Sequence, residues 1–202
     1  MLAIMKGTGQ DGLEVTLKAT KGGILGVVDA RVLWTAKGYG YSAMATSAVA
    51  ALVVRPTTTA MATLYNNSSS KHFVIDRAFA HNLVGAAQSD YGLWLCVHPI
   101  GMTAPTNDIT VRNSSSGKVT GGEGYFDNGA TVVADGWFPW GAAYTTVTVT
   151  TPGGLLEANV AGRLIIPPTA AISLQVVASV NTATFTAGFS WFEVPEDELL
   201  VS

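Results

Sequence analysis

Three carboxylic acids, Glu123, Asp127 and Asp135, fall within one Gly- and aromatic-rich stretch, Gly121 to Trp140. Two carboxyl groups held about 5 to 9 Å apart can cut a glycosidic bond, one giving a proton while the other attacks or activates water. Nothing in this spacing fixes such a separation, and solvated carboxylates at a hairpin are the plainer reading. His72, His81 and His98 are the only histidines. They lack the H-x-H and H-E-x-x-H spacings of metal sites, no C-x-x-C accompanies them, and neither metal nor cofactor is expected. Cys96 stands alone in the apolar run Leu93-Trp94-Leu95-Cys96-Val97, where a small buried side chain is expected and a nucleophile is not. Gly7-Thr8-Gly9-Gln10-Asp11-Gly12 matches G-x-G-x-x-G, but a dinucleotide site needs a helix after the glycines. Here the strand-like Leu13 to Lys18 follows, so Gly7, Gly9 and Gly12 read as a flexible arm. With no G-x-S-x-G elbow or P-loop present, no enzyme is expected. The most distinctive local feature is Trp137-Phe138-Pro139-Trp140-Gly141. Such clusters anchor protein interfaces or stack on sugar rings; the plainer alternative is a core plug closing one end of a sandwich.

The elements that must position these residues are strands. Period-two alternation recurs at Leu13 to Lys18, Phe73 to Phe79, Thr145 to Thr150 and Ile172 to Val176, and Phe185, Ala187, Phe189 and Trp191 continue it. Turn signals separate these runs: Asn66 to Ser70, Asn113 to Gly117, Asp127-Asn128-Gly129, Pro152-Gly153-Gly154 and Pro167-Pro168. Asp127 to Gly129 reads as a hairpin turn. Many short strands with regular turns predict an all-β sandwich or barrel. Ser42 to Val54 has enough alanine for a helix but reads as strand. Residues 1–35, broken by Gly7, Gly9, Gly12, Gly22, Gly23 and Gly26, read as an extended arm with one hairpin, and 36–202 as a single domain.

Composition narrows the partners. Of 202 residues, 48% are hydrophobic and 12% charged, against roughly 25% charge in ordinary domains. A chain of this length buries roughly 70% of its unfolded surface, enough for a core without metal or disulfide staples. The net charge is -3, and Glu193, Glu196, Asp197 and Glu198 place four of the fourteen acids in the last ten residues. The remainder is nearly neutral and has no Lys/Arg stripe, so neither nucleic acid nor an anionic membrane is an expected partner. Ala43 to Val54 is too short to span a bilayer, and Met1 to Lys6 lacks the features of a secretory leader, which together predict a soluble protein made in a reducing compartment. From Gly136 to Phe192 only Glu157 and Arg163 are charged. A strand-rich region so poor in charge must cover its outward face with Thr and Ser or with another subunit, and the second reading predicts self-association.

Two segments carry a resemblance. Thr63-Leu64-Tyr65-Asn66-Asn67-Ser68-Ser69-Ser70-Lys71-His72-Phe73-Val74-Ile75-Asp76-Arg77 resembles the early strand pair of jelly-roll proteins in tailed bacteriophages. Leu164 to Leu174, with its Ile166-Pro167-Pro168 turn, and Thr184 to Val194, with its Trp191-Phe192-Glu193-Val194 ending, are similar to the closing strands of that group. The resemblance implies a tumour-necrosis-factor-like jelly-roll β-sandwich and a homotrimer. It implies a capsid decoration, or cement, protein on the virion exterior, made in the host cytoplasm and bound to the major capsid protein. Cement binding would stabilise the assembled shell by mass action. The Gly-rich first 35 residues depart from a bare jelly roll and fit an anchoring arm, so Gly7, Gly9, Gly12, Trp137, Phe138 and Trp140 are the expected partner-binding residues. The alternative is a receptor- or carbohydrate-binding head of a phage fibre, with Trp137 to Trp140 stacking on sugar.

Overall fold

The computed structural model describes residues 6–8, 14–16, 29–84, 89–117, 121–133, 136–145 and 154–199. Two short strands, β1 (Lys6–Thr8) and β2 (Glu14–Thr16), pair antiparallel. The helix α1 (Ala30–Ala36) follows, then β3 (Gly40–Met44), β4 (Val49–Ala50), β5 (Ala62–Asn66), β6 (Lys71–Val84) and β7 (Ser89–His98). After β8 (Arg112–Asn113) and β9 (Gly124–Asn128) come β10 (Phe138–Thr145), β11 (Leu155–Ile166), β12 (Ala171–Ala178) and β13 (Thr184–Pro195). A single 3₁₀ turn, Glu196–Glu198, ends the described chain.

The main strands form an all-β sandwich of two antiparallel sheets. One has the order β10-β7-β12-β5-β9; the other has the order β11-β6-β13-β3-β8, with β4 also on β13. The pairing is nested: β3 lies beside β13, β5 beside β12, β6 beside β11, and β7 beside β10.

Alternation puts one set of side chains between the sheets. β12 gives Ile172, Leu174 and Val176 to that core, and β13 gives Phe185, Ala187, Phe189 and Trp191, all as the sequence predicts. β6 starts in the same phase with Phe73 and Ile75, but its pairing with β13 shifts beside Ser190 and Trp191, skipping Asp76. The extra residue flips the strand. Ala78 and Ala80 point inward beyond the bulge, and Phe79 moves to the outer face.

The expected arm ends differently from its prediction, because residues 30–36 are helical. Asp29 caps α1 by accepting from the Arg31 amide at 2.9 Å, and Gly38, at φ +83°, reverses the chain after it. The helix lies on the outer face of the six-stranded sheet, where Trp34 meets Phe192 with ring centres 5.5 Å apart. Val74, Val194 and Leu199 complete the apolar patch beneath it. At seven residues α1 cannot cross a membrane, and no described helix is long and apolar enough to do so. Gly9 and Gly12 lie outside the described residues.

The hairpin expected at Asp127 to Gly129 does not form. β9 pairs with β5, and Gly129, at φ +89°, turns the chain into a covering segment. Residues 55–60, 129–133 and 136–137 lie over the outer face of the five-stranded sheet and bond to each other: the Ala60 amide donates to Ala130 O at 3.0 Å and the Val132 amide to Thr58 O at 2.8 Å. The strand reading of Ser42 to Val54 is met by part of β3 and by β4.

Candidate functional site

The segment Trp137 to Trp140 is divided among three environments. Trp137 is 3% exposed and belongs to a small second core with Ala60, Cys96, Ala130 and Val132 on the outer face of the five-stranded sheet. Its indole N–H donates to Thr57 O at 2.6 Å, and its carbonyl accepts from the Arg55 guanidinium at 3.3 Å. Trp137 is therefore a plug and not a surface contact, which corrects its place among the partner-binding residues. Phe138 is 37% exposed. Trp140 packs against the main core, and Arg163 covers its ring from 5.0 Å. The bulge of β11 makes that contact, since Ala161 and Gly162 take φ +49° and +76° and Arg163 folds back to donate to Val160 O and Asn159 O. Phe138 and Trp140 sit 5.4 Å apart, ring centre to ring centre, at the sheet edge.

Beneath Trp137 runs a buried polar chain. His98 Nε2 lies 2.8 Å from Ser173 Oγ, which lies 2.8 Å from Thr63 Oγ1. His98 Nδ1 lies 3.8 Å from Cys96 Sγ. These strands are neighbours in register: Thr63 faces Ser173, and Ser173 faces Cys96. Burial lowers the His98 pKa to about 4, so the ring is neutral at physiological pH. The row has the residue types of a nucleophilic site, but it is covered by the plug.

The carboxylates are held apart. Glu123 precedes β9 and Asp127 lies four residues on, about 13 Å along an extended backbone at the usual rise. Glu123 pairs with Lys71, whose hydrogen bond lowers its pKa. Burial, with Asp108 nearby, raises that of Asp127. Asp135 lies outside the described residues. A more deeply buried carboxylate is Glu193, 1% exposed. It accepts from the Glu123 amide at 2.9 Å, the Gly124 amide at 3.0 Å and the Trp191 indole at 3.4 Å, with Lys71 Nζ 4.0 Å away. Burial nevertheless raises its pKa. Glu193 thus ties β13 in one sheet to the start of β9 in the other.

His72 and His81 stand half-buried on β6, and among the described residues no three of His, Cys, Asp and Glu gather as a metal site. Gly7 lies in β1, paired with Val15 of β2, so the glycine motif joins two strands where a nucleotide site needs a helix.

The remaining surface is the outer face of the six-stranded sheet, half under α1 and half open. The registers set out three rows there: Ser42, Ser190, Arg77 and Asn159; then Met44, Gly188, Phe79 and Glu157; then Thr186, His81 and Leu155. Met44 and Leu155 are 47% and 48% exposed. Arg77 and Glu157 form an ion pair, and the exposed Arg112 of β8 extends the first row beyond Ser42. Gly188 lets the Phe79 ring lie flat across β13: a Cβ there would stand 2.6 Å from the Phe79 ring and 2.5 Å from Ala43 O. The sequence shows half of this arrangement, because Thr186, Gly188 and Ser190 alternate with core aromatics; it does not show that Phe79 faces outward.

Compared with protein families, curated proteins and solved structures, the chain finds no match.

Proposed function

We propose that this chain is a structural, self-associating jelly-roll protein, a homotrimeric decoration protein that binds and stabilises an assembled phage head. The observation that carries the reading is the open half-face of the six-stranded sheet, flattened at Gly188 and internally charge-paired at Arg77 and Glu157. An exposed apolar surface of this kind favours association, and the Arg77–Glu157 pair compensates the two charges that flank Phe79. The nested pairing supports the jelly-roll part of the reading, since β3 lies with β13, β5 with β12, β6 with β11 and β7 with β10. No catalytic group is required: a protein that binds only the assembled shell stabilises it by linkage, and several sites per trimer add avidity.

Light scattering over a concentration series tests the assembly. A stable species at three times the chain mass of 21.0 kDa is expected; a monomer at every concentration refutes the trimer. Deleting residues 1–12 tests the arm: the variant should remain a folded trimer that no longer occupies phage shells, and undiminished occupancy refutes the anchoring role.

The second reading is a carbohydrate-binding head, favoured by the exposed Phe138 beside Trp140 and Arg163. It expects glycan-array binding that Trp140→Ala abolishes. An array without hits, with host adsorption unchanged by that variant, rejects it.

A further inference from the structure

We infer that His98 and Trp137 form an acid-operated latch, which holds the covering residues 55–60, 129–133 and 136–137 on the five-stranded sheet at neutral pH and releases them on acidification. The inference goes beyond the decoration reading and does not depend on it.

The geometry suits a neutral ring only. His98 is 1% exposed, with Ser173 Oγ at 2.8 Å from one ring nitrogen and Cys96 Sγ at 3.8 Å from the other. A neutral imidazole offers one donor and one acceptor, and the Ser173 and Thr63 hydroxyls can turn to complement either arrangement. A protonated ring offers two donors and a charge, and a buried charge needs a partner.

No described carboxylate occupies that position. On β7 itself the neighbouring titratable group is Cys96. β12 contributes Ser173, and β5 contributes Thr63 and, one row over, Tyr65. On β9, Tyr125 pairs with Tyr65 and Asp127 pairs with Thr63, which puts both beyond β5. From the cover comes the edge of Trp137, 6.3 Å from the imidazole centre at 79°, and behind it Arg55, itself a cation. Burial accordingly lowers the pKa of the enclosed ring to about 4, whereas an open ring would take up a proton near the ordinary value of about 6.5.

The cover is built to move as a unit. Its two segments bond mainly to each other, through Ala60 to Ala130, Val132 to Thr58, and Trp137 to Thr57. One tie from its middle to the sheet is a long bond from the Gln175 amide to Thr59 O, 3.3 Å. A lowered pKa in the closed form means that closure is favoured fully above about pH 6.5 and weakens as pH falls toward about 4. One proton taken up on opening raises the open-to-closed ratio by at most about tenfold per pH unit, in the middle of that window.

Cys96, the chain's single cysteine, reports on the latch because it is fully buried under the cover. The full-length protein is reacted with 4,4′-dithiodipyridine between pH 6.5 and 4.5, and each rate is divided by that of urea-unfolded protein at the same pH. The expected result is a rise of about 40-fold over those two units, as the open and closed values near 6.5 and 4 require, with unchanged far-UV circular dichroism and a flat profile in His98→Gln. A flat profile in the wild-type protein, or an equal rise in His98→Gln, overturns the inference. Hydrogen exchange in the wild-type protein gives a reading that needs no variant. Corrected for intrinsic rates, acid should speed exchange in 129–133 and spare β12; equal acceleration in both would show general unfolding and overturn the latch.

Discussion

The outer face of the five-stranded sheet holds a histidine, a serine and a threonine beneath a cover made by the chain itself, whereas that of the six-stranded sheet holds Met44, Phe79 and Leu155 and is half open to solvent. Polar groups are inside on one face and apolar groups outside on the other. The first arrangement is stable because each member of the polar chain has a partner, the condition under which a buried network is tolerated. The second has no such internal explanation. Methionine, phenylalanine and leucine on a strand surface lose nothing by being covered, and among the described residues Met44 and Leu155 remain about half exposed. The two faces therefore differ in cover: one is closed by residues 55–60, 129–133 and 136–137, and the other is half open among the described residues.

Removing the plug breaks the covered face most severely. Trp137→Ala empties a large space in the second core and deletes the bond to Thr57; a loss of about 3 to 5 kcal/mol is expected from buried Trp truncations, read as a lower urea midpoint. A change below about 1 kcal/mol would mean that the cover contributes little to the fold. Next in size is Gly188→Ala on the open face. The new methyl would stand 2.5 Å from Ala43 O and 2.6 Å from the Phe79 ring, so β3 or Phe79 must shift. Overpacking of this kind costs about 1 to 3 kcal/mol, and a variant as stable as the parent would show that the Phe79 ring does not need the space.

Glu193 gives a smaller effect with a definite sign. Burial raises its pKa above the unfolded value, so its contribution to stability is present at acid pH and lost as pH rises through the raised value. Glu193→Gln cannot titrate. Its urea midpoint should gain on the parent's between pH 4 and pH 7, although it loses at both through its poorer match to the Glu123 and Gly124 amides. A difference independent of pH would mean that Glu193 titrates alike in the folded and unfolded chain, and a difference of opposite sign that it stays charged in the fold. The sign is opposite to that of His98, whose lowered pKa makes acid destabilising.

The contrast between the faces was only partly legible in the residues. β12 and β13 read correctly because their alternation is unbroken, from Ile172 to Val176 and from Phe185 to Trp191. In β6 the same rule places Phe79 with Phe73 and Ile75, and the bulge at Asp76 reverses it, a local event without a compositional signal. Trp137 was visible as a feature, with a core plug among its readings, but whether an aromatic points into a sheet or away from it depends on loops whose paths the sequence leaves open. α1 was missed for a related reason: its seven residues are too few to display a period, and their position next to the glycines made them look like arm. His98 could be named as a titratable residue from the start; its partners Ser173 and Thr63 lie 75 and 110 residues apart from their bonded neighbours in the chain and become visible only through strand register.

The smallest effect on folding should accompany the sharpest effect on assembly. Met44 is 47% exposed, so Met44→Lys removes little buried contact and should change the stability of an isolated chain by no more than about 0.5 kcal/mol, the range for surface substitutions. If the open half-face meets a second copy, the same lysine places an unpaired ammonium in that contact, and a buried charge without a partner is strongly unfavourable. Light scattering should then show dissociation at concentrations where the parent is assembled, with an unaltered circular dichroism spectrum. Asn159→Lys, on the outermost strand beside Arg77 and farther from the apolar row, supplies the control for added charge alone. Equal assembly of parent and Met44→Lys would move the association surface away from this face, and equal disruption by both lysines would point to general charge repulsion; only loss confined to Met44→Lys identifies the open half-face as the surface completed from outside.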